Sequence, residues 1–277
     1  MKKIILKNTL FFYGMLLFIV ACVQQDPIDV PESEKLQQVE SYTSNWQDWD
    51  SSTLFGGGIH DFSLDPRQRV KAFEFERTVF DNLLENADVE YISFYFGVDE
   101  NNEMVLVVYG LDKEYHKFLA DDMFDIGMKT DIEFPHTQAF DFDDALYLAS
   151  QESSMPAEAF QHLIGMQLGS KMCSDWENMT SEKDLLHAVT IDGQRLQALT
   201  FHKAIFEQVF IPESLHKLIV FLGIGQEDGL LHPIAAGKNG AGDLILPKGV
   251  DGRKDNGDDG RLAEKGVPCP PFCPPEK

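Results

Sequence analysis

The chain has 277 residues, 46 acidic against 23 basic side chains and a formal net charge of −23. That balance argues against nucleic acid, whose binding needs clustered Lys and Arg, and against direct binding of anionic headgroups. With 43% apolar and 11% aromatic residues there is material for a real core, so the chain is not a disordered polyanion.

Lys2, Lys3 and Lys7 precede an unbroken apolar run from Leu10 to Ala21. Twelve residues fall short of the roughly 20 that cross a hydrocarbon core, but they suit the apolar region of a signal peptide. The run ends Ile19-Val20-Ala21-Cys22, which resembles a bacterial lipobox: a small residue before the cut, a cysteine after it. The thiol of Cys22 takes a diacylglyceryl group, and two or three acyl chains anchor stably where one does not. The alternative is an ordinary secretory signal with a coincidental cysteine. Removal of residues 1–21 leaves 256 residues and, with three lysines lost, takes the charge from −23 to −26. Residues 22–34 are polar and proline-containing and read as a flexible tether. The expected location is the cell envelope, lipid-anchored, with the outer membrane favoured because Val23 is not a retaining aspartate.

Leu36, Val39, Tyr42 and Trp46 share one helical face and predict a helix. Next comes Gly56-Gly57-Gly58-Ile59-His60-Asp61, where His60 and Asp61 are the one place a hydrolytic site suggests itself. No G-x-S-x-G or H-E-x-x-H motif accompanies them, and a surface loop is the simpler reading.

Self-comparison is the most informative pass. Residues 68–98 align without a gap to residues 194–224, at a constant offset of 126. Gln, Arg, Ala, Phe, Phe and Gly recur identically, and most remaining matches pair apolar with apolar, as two copies of one core would. Phe73 and Phe75 alternate as Leu199 and Phe201 do, predicting a strand. Val79, Phe80, Leu83 and Leu84 then recur at helical spacing, matched by Ile205, Phe206, Val209 and Phe210. Ile92, Phe94, Phe96 and Val98 alternate again, as do Leu218, Val220, Leu222 and Ile224. Asp99 to Glu103 is a polar turn, and Met104 to Tyr109 completes a hairpin. The expected fold is α+β: two tandem strand-helix-strand-strand units (35–112 and 155–246), each preceded by a helix. The second helix spans Ala157 to about Trp176. A right-handed crossover makes the first two strands of a unit parallel if they pair directly. Tyr91, Ser93 and Tyr95, on the far side of their strand, form either a contact surface or a second core layer.

Residues 113–154 read as an acidic, partly helical connection, and residues 247–277 as a Gly/Pro/Asp-rich, loop-rich tail. In the second unit Pro233 predicts an edge or irregular closing strand. Gly223, Gly225 and Gly229 superficially match a dinucleotide loop, but no helix follows, so a hairpin turn accounts for them. Asp255, Gly257, Asp259 and Gly260 imitate a calcium loop that lacks its twelfth-position glutamate. Cys269 and Cys273 could close a small disulfide ring, with free or intermolecular thiols as the alternative, and Cys173 reads as a buried apolar residue. No catalytic, cofactor or metal constellation emerges.

The stretch VEYISFYFGVDENNEMVLVVYGLD resembles the signature of an uncharacterised family of small proteins common in Bacteroidetes bacteria. Those chains have a leading helix, an aromatic-apolar-Gly strand, an acidic turn and an apolar closing strand, and many end in a Cys-Pro element. The resemblance implies a fold and no activity. Function is therefore expected to be that of an anchored, non-catalytic binding or structural module. The alternatives are an extracytoplasmic hydrolase using His60 and Asp61, and an accessory or inhibitor lipoprotein acting on a protein partner.

Overall fold

A computed structural model describes residues 32–48, 64–135, 163–209, 215–245, 262–263 and 267–269. The fold is α+β. Helix α1 is Glu32–Asp48, with Val39, Tyr42 and Trp46 turned inward at the expected spacing. After a 3-10 turn at Pro66–Gln68 come β1 (Ala72–Glu76), α2 (Arg77–Glu85), β2 (Tyr91–Val98) and β3 (Met104–Leu111). Two three-residue strands follow, β4 (Phe124–Ile126) and β5 (Met128–Thr130). The second half comprises β6 (Leu163–Ile164), α3 (Met166–Asn178), α4 (Glu182–Ala188), β7 (Thr190–Ile191) and β8 (Gln194–Arg195). It continues with β9 (Ala198–His202), α5 (Lys203–Val209), β10 (Leu215–Ile224), β11 (Leu231–Asn239), β12 (Leu244–Ile245), β13 (Leu262–Ala263) and β14 (Val267–Cys269).

The order strand-helix-strand-strand thus occurs twice, with β1 and β9 separated by the spacing of 126. The pairing differs from the simple expectation. β1 does not pair with β2. It crosses to the other half and lies antiparallel to β10, while β9 lies antiparallel to β2. One sheet runs β5-β1-β10-β11-β13-β6, with β12 also on β11; the other runs β14-β9-β2-β3-β4. Every ladder is antiparallel among the described residues, so the parallel crossover does not form.

The exchange is reciprocal rung by rung. Ala72 faces Phe221, and Ala198 faces Tyr95; Phe73 faces Val220, and Leu199 faces Phe94; Glu76 faces Lys217, and His202 faces Tyr91. Adding 126 to the first member and subtracting it from the second converts each rung into the other. The two hairpins differ by one residue. Val98 and Met104 flank a turn at 99–103, whereas Ile224 and Leu231 flank one at 225–230. In the shorter turn Asp99 Oδ1 accepts from the amides of Asn101 and Glu103, and Asn102 adopts φ 60°.

Three layers of apolar packing follow from strand alternation. Between the sheets, Phe73, Phe75, Leu218, Val220 and Leu222 of one meet Ile92, Phe94, Phe96, Leu199 and Phe201 of the other. The Phe75 and Phe94 rings are 5.7 Å apart, and Phe80 of α2 meets Phe206 of α5 at 5.7 Å. Outside one sheet, Met172 and Cys173 of α3 cover Ile219, Phe221, Ile234 and Ala236. Outside the other, Val39 and Tyr42 of α1 cover Tyr95, Val105, Val107 and Tyr109. Tyr95 and Ser93 are therefore buried, and that face is a core layer. Each helix is let close by a glycine. A Cβ on Gly97 would lie 3.1 Å from Tyr42 Cβ, and one on Gly223 2.9 Å from Met172 Cβ.

Tryptophans lock the halves together. Trp46 Nε1 donates to the Leu196 carbonyl at 2.7 Å, and Trp176 Nε1 to the Val70 carbonyl at 2.9 Å. Leu196 and Val70 are again 126 apart. Arg195 lies over the Trp46 ring and Arg69 over the Trp176 ring.

Two sequence expectations, the start of the second helix and the place of Pro233, need correction. Residues 113–135 hold turns, β4 and β5, with no helix there; residues 136–154 lie outside the described set. Within the tail, β13 joins β11 and β14 joins β9. α3 begins at Met166, later than Ala157, because β6 and Gly165 precede it. Pro233 sits inside β11, an interior strand. Its partner Leu222 donates its amide to the Lys71 carbonyl on the opposite side, so Leu222 and Pro233 form a non-hydrogen-bonded pair. The missing proline N–H therefore faces the side where β11 has only the short partners β12 and β13.

Candidate functional site

A cleft of about 410 Å³ lies where the strand leading into β1 passes the end of β5. Arg67, Gln68, Arg69, Val70 and Lys71 line one side, and Lys129, Thr130, Asp131 and Glu133 the other. Four cations among nine residues is a sharp local departure in a chain with twice as many acids as bases.

Local structure sets each cation. Asp65 caps the 3-10 turn by accepting from the Arg67 amide, and its carboxylate also takes Arg67 Nε at 3.1 Å and Nη2 at 2.9 Å. The Arg67 guanidinium holds the Asp65 carboxyl below its ordinary range. Beyond the turn the backbone is extended, so side chains alternate, and Arg69 and Lys71 project to the same side. Arg69 is buried, and its guanidinium donates to the carbonyls of Trp176 and Met179 at the end of α3. Burial lowers its pKa to about 10. Lys71 pairs with Glu133, which pushes the ammonium pKa upward against the cost of burial. Lys129, on β5, pairs with Glu103 at 2.5 Å.

The second half supplies an internal comparison. The position of Arg69 holds Arg195, and both stack on a tryptophan, so this arginine belongs to the packing plan. The position of Lys71 holds Gln197. Phe73 faces Lys129, whereas Leu199 faces Pro268; Ala72 faces Thr130, whereas Ala198 faces Cys269. The lead-in also differs, being the Arg67 turn in one half and the tight Asp192-Gly193 hairpin in the other. A half folded in the same register thus does without Arg67, Lys71 and Lys129. The architecture does not require them.

Of the candidate site residues singled out in the sequence, those that the structure describes do not line this cleft. Cys22, His60, Asp61, Cys273 and the Asp255–Gly260 stretch lie outside the described residues. Cys269 ends β14, opposite Ala198. Cys173 is buried under the α3 face, and burial raises its pKa well above the ordinary thiol value. Gly225 to Leu230 form the β10–β11 turn: Gly225 N–H donates to the Leu230 carbonyl, Gly229 takes φ 69°, and Asp228 pairs with His232 at 2.9 Å. Elsewhere His116 pairs with Asp112 and His202 with Glu90. Among the described residues no three His, Cys, Asp or Glu side chains are grouped to hold a metal, and no helix is long and apolar enough to cross a membrane. Sequence reasoning missed Arg67, Lys71 and Lys129. The signal was available in the charge difference between Lys71 and Gln197, the kind of mismatch that an alignment scored on apolar identity passes over.

No protein-family model, curated protein or solved structure matches this chain.

Proposed function

We propose that this chain is a bacterial cell-envelope lipoprotein, cut before Cys22 and held by lipid, with the outer membrane favoured. Its two-sheet body serves as a non-catalytic binding module acting on a partner molecule. The leader ending in Ala21-Cys22 supports the anchor. The binding role rests on one observation: Arg67, Lys71 and Lys129 line a cleft in the first half, and the matching places of the second hold the uncharged Gly193, Gln197 and Pro268. Residues that a shared core does not need are the ones free to serve recognition.

Two measurements test this. A fatty-acid analogue fed to cells should label the wild-type chain, and a Cys22→Ser form should lose both the label and membrane retention; an unlabelled wild type refutes the anchor. For the body, a photo-crosslinking residue at Gln68, beside the cleft, is compared with one at Gln194, the same residue type 126 positions on. A discrete adduct from position 68 and none from 194 is expected. Equal adducts, or none from either, refute the cleft as the contact region.

A further inference from the structure

Resting on the reading of the cleft as a contact region, we infer that it binds a compact polyanion: a small molecule carrying two or more carboxylate or phosphate groups. Lys71, just before β1, and Lys129, on the neighbouring β5, are two residues apart in register, because Phe73 is opposite Lys129. Two flexible ammonium groups and the Arg67 guanidinium lining one cleft match a ligand that carries more than one anionic group. Gln68 and Thr130 add neutral hydrogen-bonding groups to the lining. The volume, about 410 Å³, suits a small ligand.

The carboxylates already present decide the ligand's valence. Glu133 holds Lys71, and Glu103 holds Lys129, but side chains in both pairs are well exposed: Glu133 by 61% and Glu103 by 43%. Exposed pairs are weak and exchange readily. They are nonetheless intramolecular, so an incoming monoanion competes against a carboxylate at high effective concentration. A ligand with two linked anions displaces both at the entropic cost of one. Asp131, on the same wall as Lys129, repels any anion placed beside it, so the ligand's charges are drawn to Arg67, Lys71 and Lys129 instead. In the second half the corresponding residues, Gln197 and Pro268, offer no such pair.

The test uses the full chain in detergent, titrated calorimetrically with inorganic pyrophosphate and, separately, with citrate. Binding of at least one is expected with a dissociation constant near or below about 1 mM. Pyrophosphate alone would identify a phosphate ligand; citrate alone, a polycarboxylate. Lys71→Gln, which installs the residue natural to the other half, and Lys129→Gln should each weaken binding, and the double variant by at least about tenfold. Thermal melts confirm that the variants fold, and Lys183→Gln, on α4, serves as the control that should leave binding unchanged. No heat with either probe overturns the inference, and so does undiminished binding by the double variant. A position-68 adduct that persists in either case leaves the binding module standing and removes only its ligand class.

Discussion

Replacing Trp46 or Trp176 by phenylalanine asks how much of the body's stability lies in the join between its halves. Both indoles are fully buried, and each donates to a carbonyl in the opposite half, Leu196 or Val70. Phenylalanine keeps the aromatic ring and removes the donor, leaving a buried carbonyl without that bond at a cost of about 1–3 kcal/mol. The smaller ring leaves space that packing closes only in part, which adds roughly 1 kcal/mol. Each variant should therefore lose about 2–4 kcal/mol, or roughly 5–15 °C in Tm for a body of this size. Urea unfolding followed by far-UV circular dichroism is the suitable assay, since removing one of only three tryptophans distorts fluorescence. The two losses should be similar, because the two bonds occupy matching places. A loss below about 0.5 kcal/mol in both variants would refute the clamp. A large loss in one alone would refute its symmetry.

The glycines beneath the helices give a second matched pair. Gly97→Ala brings a Cβ to 2.8 Å from Val105 Cγ2 and 3.2 Å from the Tyr42 carbonyl carbon, and Gly223→Ala brings one to 2.6 Å from Ile234 Cδ1 and 3.1 Å from the Met172 carbonyl carbon. Backbone cannot give way as a side chain can, so each variant should lose about 1–3 kcal/mol in thermal or urea unfolding; unchanged stability would mean the helices ride higher than described. Glu74 supplies a pH prediction. Burial alone would raise its pKa, but bonds from Lys217 at 2.5 Å and Lys238 at 2.6 Å outweigh that and hold it below the ordinary 4.5. A carboxyl depressed in the folded state contributes stability above its unfolded pKa and loses it as pH falls through the folded one. Glu74→Gln should thus be less stable than wild type at pH 7, by about 2 kcal/mol, with the gap closing progressively below pH 4.5; a gap constant down to acid unfolding would refute the assignment.

Much of the fold was legible because burial writes periodicity into sequence. The alternation at Phe73 and Phe75, the helical spacing through Phe80 and Leu83, and the 126-residue echo of both mark elements that the structure contains. What could not be read was which hairpin each first strand joins. Phe73 presents the same apolar face to Phe94 of its own half as to Val220 of the other, and no local signal separates an own-half strand from an exchanged one. β4, β5, β13 and β14 escaped for a different reason. Two or three residues are too few to show a period, and their pairing depends on the strand edges that tertiary structure brings to them. The cleft was invisible for a third reason: Lys71 and Lys129 are 58 residues apart in sequence, and only the β1–β5 register joins them.

The crossing of β1 into the distant sheet also governs the order of events as the chain is made. A polypeptide delivered N-terminus first presents Phe73 and Phe75 long before Leu218 to Phe221, the strand that will receive them, has emerged. Closure over so long a separation is slow, since the loop entropy is spent before any contact returns it. Nor can the first half finish early by itself, because β2 has an open edge until β9 arrives to fill it. The molecule consequently stays threadable until nearly all of its length is available, and then both sheets complete together.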